Sequence, residues 1–344
     1  MSLVQLNAQY NGGRNAEIFR EIFLLNNTLN QGLARIVDGV KGNQTLTDAV
    51  ASVTLQAYKA APVVGTDEAS DLSFRDILLQ PVQHMLFDSF NPATFRQTFF
   101  NRDAIPGAIN SVGDEFLSEV IFLYGGKMSQ AAEVSFWQGA TSTTKTAIAA
   151  LTAGTGQNAV GAAEKTLVGN LPAGFFDGVV TKMISTYSND ANRRRYKVAG
   201  TTITTTNLLE EYGKLYAAIP LAYNGSALLQ TGNVENQYIY APHSHLALIN
   251  QFNNDPTKYK DAFIKDADGD FTFNGIKIKF VPLPANTMIF HRWNYLVWGT
   301  DIESDFTNLT IAPMNSYSAQ HVIRADFSLE SAIMQPGQAV LYVG

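Results

Sequence analysis

Residues 104–126 read AIPGAINSVGDEFLSEVIFLYGG, and the fold turns on this stretch. Ile109, Val112, Phe116, Leu117, Val120, Ile121 and Tyr124 recur at spacings of three and four, which lays a continuous apolar face along a helix. Asp114, Glu115, Ser118 and Glu119 fill the opposite face. Pro106-Gly107 mark the entry, and Gly125-Gly126 predict a stop. A long helix with one apolar face needs a sheet or other helices to cover it.

Upstream, residues 14–40 read as an amphipathic helix with a stripe of Ile18, Phe19, Ile22, Phe23 and Leu25, followed by a polar linker through Gly39 and Gly42 to Thr47. Residues 50–105 hold no sustained period; short apolar runs broken by Pro62, Pro81 and Pro92 predict extended segments and turns. Downstream, Val134 to Ala163 carries one charge, Lys145, and predicts a loop with poorly specified strand or helix turns. A helix fits Phe176, Val179, Val180, Met183, Ile184 and Tyr187. Another fits Leu208, Tyr212, Leu215, Tyr216 and Ile219, with Asn207 and Glu210 as a capping box and Pro220 as its end.

Beyond residue 235 the period moves toward two. Gln237 to Ala241 predicts a strand and Ser244 to Phe252 a helix. Phe271 to Phe273 and Ile276 to Val281 flank Asn274-Gly275, the pair that supplies positive φ in a type I′ hairpin. Further strands are predicted at 287–291, 295–299, 307–312, 321–327 and 338–343. The fold class is α+β, with helices early and strands late.

Composition narrows the chemistry. Charged residues make up 16% of the 344, against roughly 25% in an ordinary domain. There is no cysteine, so disulfides, thiolate metal sites and cysteine nucleophiles are excluded. A net charge of −6 disfavours a surface that grips nucleic acid throughout. The longest apolar runs, such as Val120 to Tyr124, fall far short of the ~20 residues needed to cross a bilayer. The first residues lack the basic and apolar regions of a signal peptide, so the expected compartment is cytoplasm-like.

No motif carries a reaction. Asp266-Ala267-Asp268-Gly269-Asp270 starts like a calcium loop but has Phe271 at the glycine position and Lys277 at the closing acid, so it reads as a turn. Gly154-Thr155-Gly156 and Gly125-Gly126-Lys127 lack the remaining residues of phosphate cradles. His243 and His245 start a helix, where positions two apart diverge, and Asp301, Glu303 and Asp305 read as a solvated edge. Arg193-Arg194-Arg195 is the dense basic patch: a solvated loop, a contact with a neighbouring subunit, or a weak polyanion site. No catalytic residue, cofactor or metal is expected.

The order of segments resembles the major capsid proteins of tailed bacteriophages with the Hong Kong 97-type fold. The features run from Ala104-Ile105-Pro106-Gly107 and the long helix, through Glu133 to Gly139, to Leu171-Pro172-Ala173-Gly174-Phe175-Phe176-Asp177-Gly178. They continue with Tyr238 to Pro242, Asn274 to Ile278, Val281 to Pro284, Asn294 to Asp301 and Gln338 to Tyr342. The resemblance covers residues 100–344. It implies an N-terminal arm at 1–48, an extended loop at 49–103, a peripheral domain with a spine helix at 104–205 joined by parts of 320–344, and an axial domain at 206–319. It further implies a non-enzymatic shell protein that assembles with itself as pentamers and hexamers around a genome. Scaffolding, portal and decoration proteins are the implied partners, with weak contact to packaged DNA and no membrane. The implied location is the virion, assembled in the host cytoplasm. The other readings are an encapsulin-like nanocompartment shell, or a soluble enzyme with a site built from His243, His245 and the 301–305 acids.

Overall fold

The computed structural model describes residues 26–52, 57–61, 63, 71–91, 114–157, 159–185, 195–222, 237–259, 261–301, 309–314 and 320–344. A short helix α1 (Asn27–Asn30) leads into β1 (Arg35–Val37), β2 (Gln44–Ser52), β3 (Asp71–Leu79) and β4 (Val82–Phe90). Helices α2 (Asp114–Gln138), α3 (Ser142–Ala150), α4 (Ala162–Asn170) and α5 (Val179–Ser185) follow. Next come β5 (Tyr196–Ala199), α6 (Leu208–Ala222), β6 (Gln237–Pro242) and α7 (His243–Asn254). The chain ends in strands: β7 (Phe263–Lys265), β8 (Phe271–Phe273), β9 (Ile276–Val281), β10 (Thr287–Arg292), β11 (Leu296–Gly299), β12 (Leu309–Pro313), β13 (His321–Ile333) and β14 (Val340–Val343).

The larger sheet runs β5-β14-β10-β6-β9-β8-β7. Alternation along its central strands explains why both faces are covered. In β14, Leu341 and Val343 face a core shared with α2 and α5, whereas Val340 and Tyr342 face a second core under α6 and α7. In β10, Ile289 joins the first core, and Met288 and Phe290 join the second. A period of two thus makes one sheet the wall between two cores. The other sheet centres on β13, which pairs along one edge with β4 and along the other with β12 and then β11, with β1 outside β11. Sheet membership therefore cuts across residue boundaries. Tyr196–Ala199 and Val340–Val343 belong with β6 to β10, while Leu296–Gly299 belongs with β13.

Three expectations need correction. Helix α2 does not stop at Gly125-Gly126 but continues to Gln138. Ile121, Met128, Ala132 and Phe136 are all buried and extend one apolar face past the glycines. Each helical glycine costs about 1 kcal/mol relative to alanine. Burying one large side chain returns about 1.5–3 kcal/mol, so the helix carries through. Helix α6 likewise includes Pro220, because proline's fixed φ is helical and only one donor is lost near the end. The capping box at Asn207 does not form: its Oδ1 accepts from Thr204 N at 2.7 Å, and its amide donates to Thr202 O.

The helix expected over 14–40 survives in its described part only as α1, followed by a strand. Residues 14–25 and 104–113 lie outside the described residues, as do Arg193, Arg194, Glu303 and Asp305. The low-charge span after Val134 is more regular than expected, since α3 is capped by Thr141 Oγ1. The Asn274-Gly275 turn is as expected, with φ of 48° and 82°.

Candidate assembly surfaces

Strands β2 and β3 pair from Gln44↔Leu79 to Ser52↔Asp71 as a two-stranded ribbon. Its root is set by Leu79, buried beside Val40, Val297 and Ala332. Gly299 makes room there: a Cβ on it would lie 2.7 Å from Leu79 Cδ2, so a larger residue would displace the Leu79 side chain. Farther along, Phe74 is 66% exposed and Leu78 half-exposed. On β4, Met85 and Phe87 stand out at 61% and 60%. Large apolar side chains on a ribbon without its own core are what a partner surface covers.

A cavity of about 540 Å³ opens between α2 and the β4–β13 pair. Tyr124, Met128, Ala131 and Ser135 form its helical wall, with His84, Met85 and Phe327 opposite. His84 stacks on Phe327 at 5.3 Å and meets Phe175 edge-on at 5.1 Å. Burial lowers the pKa of His84, which favours the neutral ring among these aromatics. At the same helix, Tyr124 Oη donates to Asp88 Oδ2 at 2.5 Å, and this bond pushes the phenol up to about 12.

The first described residues are tied to α2. Glu133 Oε1 accepts from Thr28 N at 2.9 Å and from Thr28 Oγ1 at 2.6 Å. Trp137 Nε1 donates to Thr28 Oγ1 at 2.8 Å. Asn26 Oδ1 caps the turn by accepting from Thr28 N. Just past that same C-terminal end of α2, Gly139 and Gly178 allow a backbone crossing: Gly178 N donates to Gly139 O at 2.7 Å, and a Cβ on Gly139 would lie 2.7 Å from Phe176 O.

Arg195 is placed inside the subunit rather than toward a neighbour. It is 1% exposed, and its guanidinium is paired with Glu164. Glu164 also accepts from Gly161 N at 2.7 Å and meets Lys197 at 3.3 Å, so one carboxylate ties α4 to β5. A triplet of arginines carries no sequence signal that one of them is buried; its partner lies 31 residues away.

The other singled-out groups do not converge. Buried His245 has Nδ1 3.0 Å from Tyr212 Oη, while His243 is exposed at the start of α7. Asp301 N donates to Ser328 Oγ in the other sheet's neighbourhood. The Asp266–Asp270 turn is closed from within: Asp266 Oδ1 accepts from Asp268 N and Asp270 N. Lys277 pairs with Asp266 and Asp268, and Lys279 with Asp270. Among the described residues no group of three His, Asp or Glu is placed to hold a metal, and no helix is long and apolar enough to cross a membrane.

Solved structures that share this fold include the capsid of an empty GTA particle and the capsid of a native GTA particle. Each superposes with a TM-score of 0.50, over 92% of this chain and 89% and 90% of theirs, at 12% and 13% identity. The chain has a capsid fold. It is the α+β phage-capsid class expected from the segment order. No family model matches the sequence, and no curated protein matches it.

Proposed function

We propose that this chain is a structural, non-enzymatic shell protein: the major capsid subunit of a tailed-phage head, which assembles with itself around a genome in the virion. The β2–β3 ribbon carries the reading, because it turns Phe74 and Leu78 to solvent while Leu79 roots it in the subunit. Such a ribbon is stable when a neighbouring copy covers it. The capsid fold of the GTA structures supports the same role.

In this reading residues 1–48 act as an arm and 49–103 as the extended loop whose base is the ribbon. Residues 104–205 with parts of 320–344 form the peripheral region, and 206–319 the axial region. Arg193 and Arg194 serve a contact between subunits. Pentamers and hexamers are the building blocks. Scaffolding, portal and decoration proteins are its partners in the host cytoplasm, and packaged DNA touches it only weakly.

The test is direct. Purified chain passed over a sizing column and imaged in negative stain forms capsomers, shells or tubes. The Phe74→Ser/Phe87→Ser variant keeps its unfolding free energy within about 0.5 kcal/mol, since exposed positions contribute little, yet loses particles at least tenfold. A wild-type chain that stays monomeric under all assembly conditions overturns the proposal.

A further inference from the structure

The seven-stranded sheet ends on one side at β5, and what its outer edge presents follows from its inner pairing. Tyr196 N donates to Ala339 O and Gly200 N to Val343 O, both at 2.8 Å and both toward β14. In a parallel pair the N–H and C=O of one residue point to the same side, and successive residues alternate. Lys197 and Ala199 therefore aim their backbone groups away from the sheet. An edge of this kind adds a further strand unless something covers it.

The cover at Lys197 is one side chain. Gln157 Oε1 accepts from Lys197 N at 2.7 Å, and Gln157 Nε2 donates to Lys197 O at 3.0 Å. A glutamine amide carries the same donor and acceptor as a peptide group, so Gln157 takes the place of a neighbouring strand. The loop between α3 and α4 holds it there. Gly154 N donates to Val160 O and Ala159 N to Gly156 O, both at 3.0 Å, which closes the loop on itself. Lys197 Nζ reaches Ala159 O at 3.2 Å, Gly154 O at 3.4 Å and Glu164 at 3.3 Å. Lys165 Nζ donates to Leu151 O at 2.6 Å and ties α4 to the start of the loop. The glycines at 154 and 156, which fit no phosphate cradle, thus belong to a loop folded against a strand. At the opposite end of the sheet β7 is three residues long and carries Lys265, and a short, charged edge resists pairing without a cover.

We infer that Gln157 is a guard: it keeps the β5 edge closed to an edge strand of a second copy, so that self-association runs through other surfaces. Gln157 is exposed, and among the described residues its side chain makes these two bonds. The closed edge therefore depends on a single amide. The inference goes beyond the shell reading and does not depend on it, because an open edge is a hazard to any chain at high concentration.

Free subunits are compared below the concentration at which the wild-type chain forms particles. Gln157→Ala removes both bonds. Hydrogen exchange at the Lys197 amide is expected to rise about tenfold or more, while the Val198 amide, which faces β14, stays within about twofold of wild type. In sedimentation, the fraction of dimers and larger species is expected to rise about fivefold or more. The double variant Gln157→Ala/Ala199→Pro separates edge pairing from misfolding. Ala199 N faces outward, so proline there takes a donor from the edge and leaves the β14 ladder in place. The larger species are then expected to fall back to within about twofold of wild type. Equal acceleration at Val198, or association that the proline does not reverse, means that β5 has come loose and overturns the inference. A Gln157→Ala variant that matches wild type in Lys197 exchange or in association overturns it as well. Electron microscopy of the wild-type chain at higher concentration reports on the shell separately. A lack of particles there overturns the shell reading and leaves the guard, which is measured on free subunits, intact.

Discussion

Gly275 is the position where one atom matters most plainly. Its φ of 82° lies in the left-handed region, and a Cβ there would meet nothing within 4 Å. Gly275→Val therefore tests conformation without a clash. A β-branched residue held at positive φ costs about 2 kcal/mol, and a fall of that size in urea unfolding is expected; an unchanged midpoint would sink the turn assignment. The pair of Arg195 and Glu164 works through solvation instead. Removing one partner of a buried pair costs about 3–5 kcal/mol because the other charge is left stranded. Lys197 remains near Glu164, so Arg195→Met is expected at the low end, about 3 kcal/mol. Adding Glu164→Gln removes the stranded charge, and the double variant should be more stable than the sum of the two single losses. Additive losses in that cycle would show that the pair is not coupled.

Among the elements, the long helix is the one whose local signal and final structure disagree. Gly126 sits inside α2, has no positive φ, and a Cβ would meet nothing within 4 Å. Gly126→Ala should therefore raise stability by about 0.4–1 kcal/mol. Thermal unfolding of the variant reads this directly, and a lower midpoint would mean the glycine serves a close approach. The same residues explain what was legible in the sequence. The hairpin at Asn274-Gly275 and the late strands were readable, because turn chemistry and alternation act over a few residues. The passage of α2 through two glycines was not, since the burial of Met128, Ala132 and Phe136 depends on a sheet some 200 residues away in sequence. Nor was the β2–β3 ribbon: with side chains turned to solvent near its root it lacks the alternation that marks a half-buried strand. The assembly surfaces shared this fate, since an apolar residue destined for a neighbour reads like one destined for the core.

For the whole molecule, the shortage of charge has a structural counterpart in a sheet buried on both faces, with titratable groups enclosed beside it. Two of them set an acid limit. His245 is buried under α6 with Nδ1 3.0 Å from Tyr212 Oη, and burial lowers its pKa to about 4. His291 on β10 has Nε2 3.0 Å from Met334 O, and burial again brings it to about 4. An unfolded histidine titrates near 6.5. Between these values the unfolded chain binds more protons than the folded one, so stability rises with pH and is lost as pH falls from 6.5 toward 4. The two groups lie in different parts of the subunit, so their contributions add. Together they remove roughly 4 kcal/mol between pH 7 and pH 5, with a slope near pH 5.5 that approaches about 2.5 kcal/mol per pH unit. Urea unfolding of the free subunit across that range measures the slope, and a flat profile from pH 7 to pH 5 would refute the account. Assembly binds only the folded state and adds its own stability by mass action. Particles should then outlast free subunits at pH 5, by a margin set by the free energy of assembly.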